Sequence, residues 1–198
     1  MSRRDVATLG LLGFFFAVAI SVELYFLVAH DHLVAASQHH PLARVLALYG
    51  AADRDYFARP SALALALEGL NVFVTQPLGV ALAFAIVRRR WWRWALQLAV
   101  GAYLTYSVIL YFVVGGVSGF AGMSDRSAAT FALYFGANLP WLAGGAWLVA
   151  SAAHALAPAV VERDRIAAVV EEIGEEAAEV EARRERGDDR ERAESLPP

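Results

Sequence analysis

The sequence predicts an all-α protein of the polytopic membrane class, a four-helix bundle followed by a charged cytoplasmic C-terminal tail. Three observations carry that prediction. Apolar residues make up 58% of the 198 and are gathered into blocks, four of which reach the roughly 17–25 residues that cross a hydrocarbon core about 30 Å thick. Arginine clusters lie next to the same ends of successive blocks, as the positive-inside bias requires. Two carboxylates, Glu23 and Glu68, sit inside the blocks, where a charge costs at least about 2.5–3.5 kcal/mol on insertion scales. An acidic residue at that depth is by default a candidate functional group.

The first block, about residues 6–28, is too long for a signal-peptide core and has no small-residue cleavage motif, so it reads as a retained span. A loop to about residue 61 follows. Within it, residues 42–49 after Pro41 predict a short interfacial helix, and Asp53-Arg54-Asp55-Tyr56 reads as a turn, so the loop is placed to lid one face of the bundle. Its histidines His30, His32, His39 and His40 have no helical ligand spacing and read as solvated loop residues rather than a metal site. The second block covers residues 62–87. The Arg88, Arg89, Arg90 and Arg93 cluster that follows is interleaved with Trp91, Trp92 and Trp94, the pattern of an interfacial aromatic belt with snorkelling arginines. That placement argues against nucleic acid as the partner.

The third and fourth blocks cover residues 95–114 and 128–156, the last long enough to tilt. The membrane domain thus occupies residues 1–160 and the tail residues 161–198. In the tail, Ile166, Val170, Ile173, Ala177 and Val180 form a short heptad-like stripe, and the charge-dense run from Arg183 predicts disorder. The chain's net charge of −3 hides an asymmetry, because the tail is acidic and the membrane body basic. All 17 basic residues are Arg, and there is no cysteine. Disulfides, thiolate metal sites and cysteine nucleophiles are thereby excluded, and no cofactor is expected. Arg3, Arg4 and the Arg88–Arg93 cluster put both termini in the cytoplasm. The membrane is the plasma membrane if the source is bacterial and the endoplasmic reticulum if it is eukaryotic.

Counting 1.5 Å per residue, Glu23 lies roughly 8 Å and Glu68 roughly 10 Å from the outer ends of their helices. Tyr106 on the third helix, and Asn138 and Trp141 on the fourth, fall at similar depth. Lipid cannot satisfy such groups, so they are expected to face the bundle interior. Asn71, Thr75, Gln76, Gln97 and Thr105, taken singly, read as interhelical hydrogen-bond glue. Two carboxylates at one depth, with no Arg or Lys beside them, fit glue poorly. Neighbouring like charges force their protonation apart, so one protonated and one ionised carboxyl make a pair that can deliver and remove protons.

At these residues the chain resembles the emopamil-binding protein family, also called EXPERA, which includes sterol delta-isomerases and the sigma-2 receptor. The likeness is carried by SVELYF, LEGLNVFVTQPLGVALAFAI, LQLAVGAYLTYSVILYF and LYFGANLPWLAGG, one on each predicted span. The turn ALYGAADRDYF is similar to the family's acidic-Tyr segment. The resemblance implies a protonation–deprotonation cycle that shifts a double bond in a sterol or polycyclic isoprenoid lipid through a carbocation. Carried over, it makes Glu23 and Glu68 the acid–base carboxylates. Asn138 then orients one of them, Trp141 offers its π face to the cation, and Tyr106, Tyr25 and Asn71 complete the ligand site. The chain departs from the isomerases at Ala19, where they carry a His, and at Val108, where they carry an acid. A non-catalytic sterol or lipid binder and a membrane terpenoid cyclase are the competing expectations. The expected partners are the lipid and the bilayer, with a homodimer as a candidate assembly.

Overall fold

A computed structural model describes the backbone of residues 1–194 and the side-chain surroundings of residues 1–174. Among the described residues all regular structure is helical, and four helices are long and apolar enough to cross a membrane, as the sequence predicts. The chain divides into two compact units, Met1–Ala153 and His154–Pro198. In the second unit the backbone is helical as far as Glu194. Ile166, Val170 and Ile173 are exposed there. Ala177, Val180 and the disorder expected from Arg183 onward fall on residues whose side chains lie outside the described set.

The first unit carries the site. Helix α1 (Arg3–Ala29) starts on a capping box, in which Asp5 N–H donates to Ser2 Oγ and Ser2 N–H donates back to Asp5. This arrangement satisfies two of the backbone donors that a helix start leaves free. The loop that follows is ordered. It forms a short helix α2 (Leu33–Ala36), an amphipathic helix α3 (Pro41–Gly50) with proline in its first turn, and a single 3₁₀ turn at Arg54–Tyr56. Two of the loop histidines have structural partners: His30 Nδ1 lies 2.8 Å from Leu27 O, and His40 caps α3 through Leu42 N–H and stacks on Tyr25. Helix α4 (Ala62–Val87) begins on Ser61, whose hydroxyl accepts Ala64 N–H. Helix α5 spans Arg93–Val117. Helix α6 (Ala128–Glu194) follows Ser127, which accepts Thr130 N–H. Hydrogen bonds from Thr130 and Ser127 hold the exposed Asp125 carboxyl down to about 2.

Two helices are locally widened. In α1 the segment Ala19–Glu23 is π-helical, and Leu24 N–H reaches back five residues to Ala19 O. In α4 the segment Asn71–Thr75 does the same, with Gln76 N–H on Asn71 O. Pro77 follows at once, where a missing N–H already interrupts the α-helical ladder. The two wide turns pack against each other. Single π turns of this kind concentrate at functional sites, and these two flank Glu23 and Glu68.

Side-chain packing divides the bundle into two ends. At the Arg-bearing end, Leu12, Leu82, Ile86, Val100, Leu104 and Leu148, joined by Phe15, form a mainly aliphatic core. At the loop end, Phe26, Leu46, Tyr56, Tyr111 and Tyr134 form an aromatic one. The loop is tied to the α5–α6 connection by Arg54 N–H donating to Gly122 O at 2.9 Å and by Ser124 Oγ donating to Ala51 O.

Candidate functional site

A cavity of about 270 Å³ opens between α1, α3, α4, α5 and α6 at the loop end. That is close to the lower bound of the roughly 300–1,000 Å³ usual for small-molecule sites. Glu23 and Glu68 both line it, with Asn71, Asn138 and Trp141. Most of the remaining wall is apolar: Val18, Val22, Phe26, Leu46 and Leu67 among others. The two carboxylates therefore face one shared space.

Each carboxyl is held by its own donor. Asn71 Nδ2 donates to Glu23 Oε2 at 2.5 Å, and Gln76 Nε2 in turn donates to Asn71 Oδ1 at 3.2 Å. The wide turn of α4 brings this about, since it places Asn71 and Gln76, five residues apart, in hydrogen-bonding register along one face. Glu23 is buried at 7% exposure. Glu68, partly buried at the wall, accepts from Tyr56 Oη at 2.8 Å. Tyr56 comes from the loop, so the loop both covers the cavity and holds a carboxylate in it.

A second polar chain runs along the same wall. Asn138 Nδ2 donates to Tyr49 Oη at 2.9 Å and to Tyr134 O at 2.9 Å. Tyr49 Oη lies 3.0 Å from Tyr111 Oη, and Tyr111 donates to Asp53. Burial pushes the Asp53 carboxyl up, and the hydrogen bond from Tyr111 partly offsets that. Burial also pushes the Tyr49 and Tyr56 phenols well up, so both stay neutral hydrogen-bond donors. Trp141 stands beside the cavity with its ring centroid 5.5 Å from Phe14 and 5.2 Å from Phe15. These contacts with α1 fix its ring at the wall.

Five of the seven residues expected at the site therefore meet in one cavity, and two do not. Tyr106 is 61% exposed, while its neighbours Ser107, Val108 and Tyr111 line the cavity. Two positions along a helix is about 200° of rotation, so Tyr106 stands at the right depth on the wrong face. Tyr25, two residues after Glu23, is turned away by the same arithmetic and stacks on His40 at 4.3 Å. Asn138 also differs from expectation, because its amide bonds Tyr49 and Tyr134 and not a carboxylate. Asn71 takes that part for Glu23. The residues that sequence reasoning missed are Tyr49, Tyr56, Tyr111 and Asp53. Their signal lay in the ALYGAADRDYF turn and in LYF of α5, since phenols repeated beside an acidic pair are unusual in a bare connecting loop. The two departures noted from the sequence also fall here: Val108 lines the cavity and Ala19 is fully buried in the wide turn of α1.

Fold and site together define a helical integral membrane protein with a carboxylate-bearing cavity between its spans. The chain belongs to the EXPERA (EXPanded EBP superfamily) family, which matches residues 41–152. That stretch holds Asp53, Tyr56, Glu68, Asn138 and Trp141, whereas Glu23 precedes it. Over 101 residues, 51% of this chain, the sequence is 28% identical to the "Probable 3-beta-hydroxysteroid-Delta(8),Delta(7)-isomerase" of Arabidopsis thaliana. The aligned stretch covers 44% of that relative, less than half its length.

Proposed function

We propose that this protein is a membrane isomerase that shifts a double bond in a sterol or other polycyclic isoprenoid lipid. A proton passes from one carboxyl of the Glu23–Glu68 pair to an alkene carbon, leaving a carbocation on its neighbour. The other carboxylate then removes a proton from the adjoining carbon, and the double bond re-forms one position along. No electrons are gained or lost overall, and one proton enters the substrate for each that leaves. Two carboxyls in one largely apolar cavity is the observation that carries this reading. Asn71 and Tyr56 hold them in place, Trp141 supplies a π face that attracts a desolvated cation, and the apolar wall keeps water from the carbocation. The Arg-bearing end, by the positive-inside bias, faces the cytoplasm.

A specific observation favours a second reading, a lipid-binding protein without turnover. Val108 and Ala19 stand where the resembled isomerases carry an acid and a His, so part of a proton relay is missing. Incubation with a Δ8-sterol in deuterated water separates the two. An isomerase moves the double bond and leaves solvent deuterium in the product, read by mass spectrometry. Glu68→Gln keeps the shape and removes the proton donor, so turnover falls by about 10²–10⁴-fold while lipid binding stays measurable. Sterol that is bound but never deuterated by the unmodified chain selects the binding reading.

A further inference from the structure

The hydrogen bonds that tie the loop to the cavity wall have a direction. Tyr134 O is a backbone carbonyl and only accepts, so the Asn138 atom 2.9 Å from it is the amide nitrogen. The second hydrogen of that nitrogen goes to Tyr49 Oη. Both amide hydrogens are thus engaged by the protein, and among the described residues no donor reaches Asn138 Oδ1. At the far end of the chain, Asp53 Oδ1 accepts Asp55 N–H at 2.9 Å and Oδ2 accepts from Tyr111. Tyr111 Oη donates to Asp53 Oδ2, and a phenol carries one hydrogen, so the hydroxyl hydrogen of Tyr111 is committed to Asp53. Tyr111 Oη then offers Tyr49 only lone pairs across their 3.0 Å separation, and the Tyr49 hydrogen points at Tyr111. The chain runs one way, Asn138 to Tyr49 to Tyr111 to Asp53, each group donating to the next.

We propose that Asp53 is a positioning residue for the cavity. By fixing the polarity of this chain it leaves the Tyr49–Asn138 wall with acceptor oxygens alone, so the ligand group seated there is a hydrogen-bond donor, a hydroxyl or a protonated amine. The proposal rests on the reading of the cavity as a lipid site. It adds a rule of selectivity, written by a residue that touches neither the cavity nor the ligand. Without the Asp53 acceptor, the Tyr111 and Tyr49 hydroxyls are free to rotate. Tyr49 then turns its hydrogen into the cavity, where it meets an acceptor such as a ketone.

The full chain in nanodiscs is titrated with a 3β-hydroxysterol and with its 3-ketone. The unmodified protein prefers the alcohol by about tenfold, the cost of leaving buried acceptors unpaired. In Asp53→Asn, which keeps the shape and offers Tyr111 an N–H, the preference collapses toward parity. Tyr111→Phe cuts the chain at its next link and gives the same collapse, so the test survives if one variant does not fold. A long-chain amine, compared with its neutral amide, shows whether a cation or a hydroxyl is the favoured donor. If either folded variant weakens alcohol and ketone equally and keeps their ratio, Asp53 only holds the loop and the proposal is overturned. Failure of both sterols to bind the unmodified chain counts against the sterol reading alone. The polarity is then read without ligand, from the C–O stretch of isotope-labelled Tyr49, assigned by subtraction of Tyr49→Phe. A donating phenol that becomes an accepting one on Asp53→Asn supports the proposal, and an unchanged band overturns it.

Discussion

At the Arg-bearing end of the bundle, Leu12, Leu82, Ile86, Val100, Leu104 and Leu148 meet in an aliphatic core. Gln97, fully buried there, donates to Leu148 O at 3.2 Å and Ser151 Oγ at 2.6 Å. At the loop end the residues that meet are Phe26, Tyr56, Tyr111 and Tyr134, with two carboxylates, two amides and a cavity among them. The first end is closed by backbone approach: Gly101 and Gly145 bring α5 and α6 into direct contact, the small-residue packing that replaces hydrophobic drive between helices in lipid. The second end is held apart. Large aromatic rings, two π-helical turns and a loop keep the helices from closing on each other. The tight end supplies a fixed frame, and the open end spends that rigidity on holding polar groups in place around a space.

The largest expected effect comes from breaking the tight end. A Cβ on Gly145 would lie 2.9 Å from Thr105 N and 3.0 Å from Gly101 O, both backbone atoms that cannot swing aside. Gly145→Val is expected to destabilise the bundle by about 3 kcal/mol or more, the upper range for overpacking. Gly69→Ala, where a Cβ meets nothing within 4 Å, is the neutral control. Thermal unfolding in detergent compares them, and equal melting temperatures would mean that the α5–α6 contact does not hold the frame.

A smaller effect tests the open end. Trp141→Ala removes a wall of the cavity and the ring packed on Phe14 and Phe15. It is expected to weaken a cationic amphiphile by about 0.5–2 kcal/mol more than its neutral isostere, if the indole face meets positive charge. A calorimetric titration with the matched pair reads the difference. Equal loss for both ligands would reduce Trp141 to shape alone.

The two ends were also unequally legible in the sequence. Spans, their order and the Arg-bearing end follow from hydropathy and charge, because those signals are local and additive along a helix. Glu23 and Glu68 were legible because charge at membrane depth is costly wherever it points. The facing of neutral residues was not. Depth gives height along a helix but no azimuth, so Tyr106 and Tyr25 stood at the right level and 200° away from the cavity. The π turns at Ala19–Glu23 and Asn71–Thr75 shift register by one residue, and apolar periodicity over so short a segment does not show that shift. Tyr49, Tyr56 and Asp53 were hidden for another reason. They reach the site through the tertiary fold of a loop, and their partners Tyr111, Glu68 and Asn138 lie from 12 to 89 residues away in the chain.

The smallest effect concerns the polar rim of the tight end. Arg93 Nη1 lies 3.2 Å from Asp5 Oδ1, joining the starts of α1 and α5, and its guanidinium carbon stands 3.9 Å from the Trp94 ring centroid. Asp5 is already engaged by Ser2 in the capping box, so loss of Arg93 leaves it with partners and near water. Arg93→Gln is therefore expected to cost at most about 1 kcal/mol. The part of that cost due to the ion pair should fade only in part as salt is raised, because the two side chains are partly buried and screening acts less on such pairs than on exposed ones. Melting temperatures of the variant and the unmodified chain at low and high ionic strength provide the measurement. A large penalty that salt does not touch would show that the rim, and not the glycine contact beneath it, keeps the tight end closed.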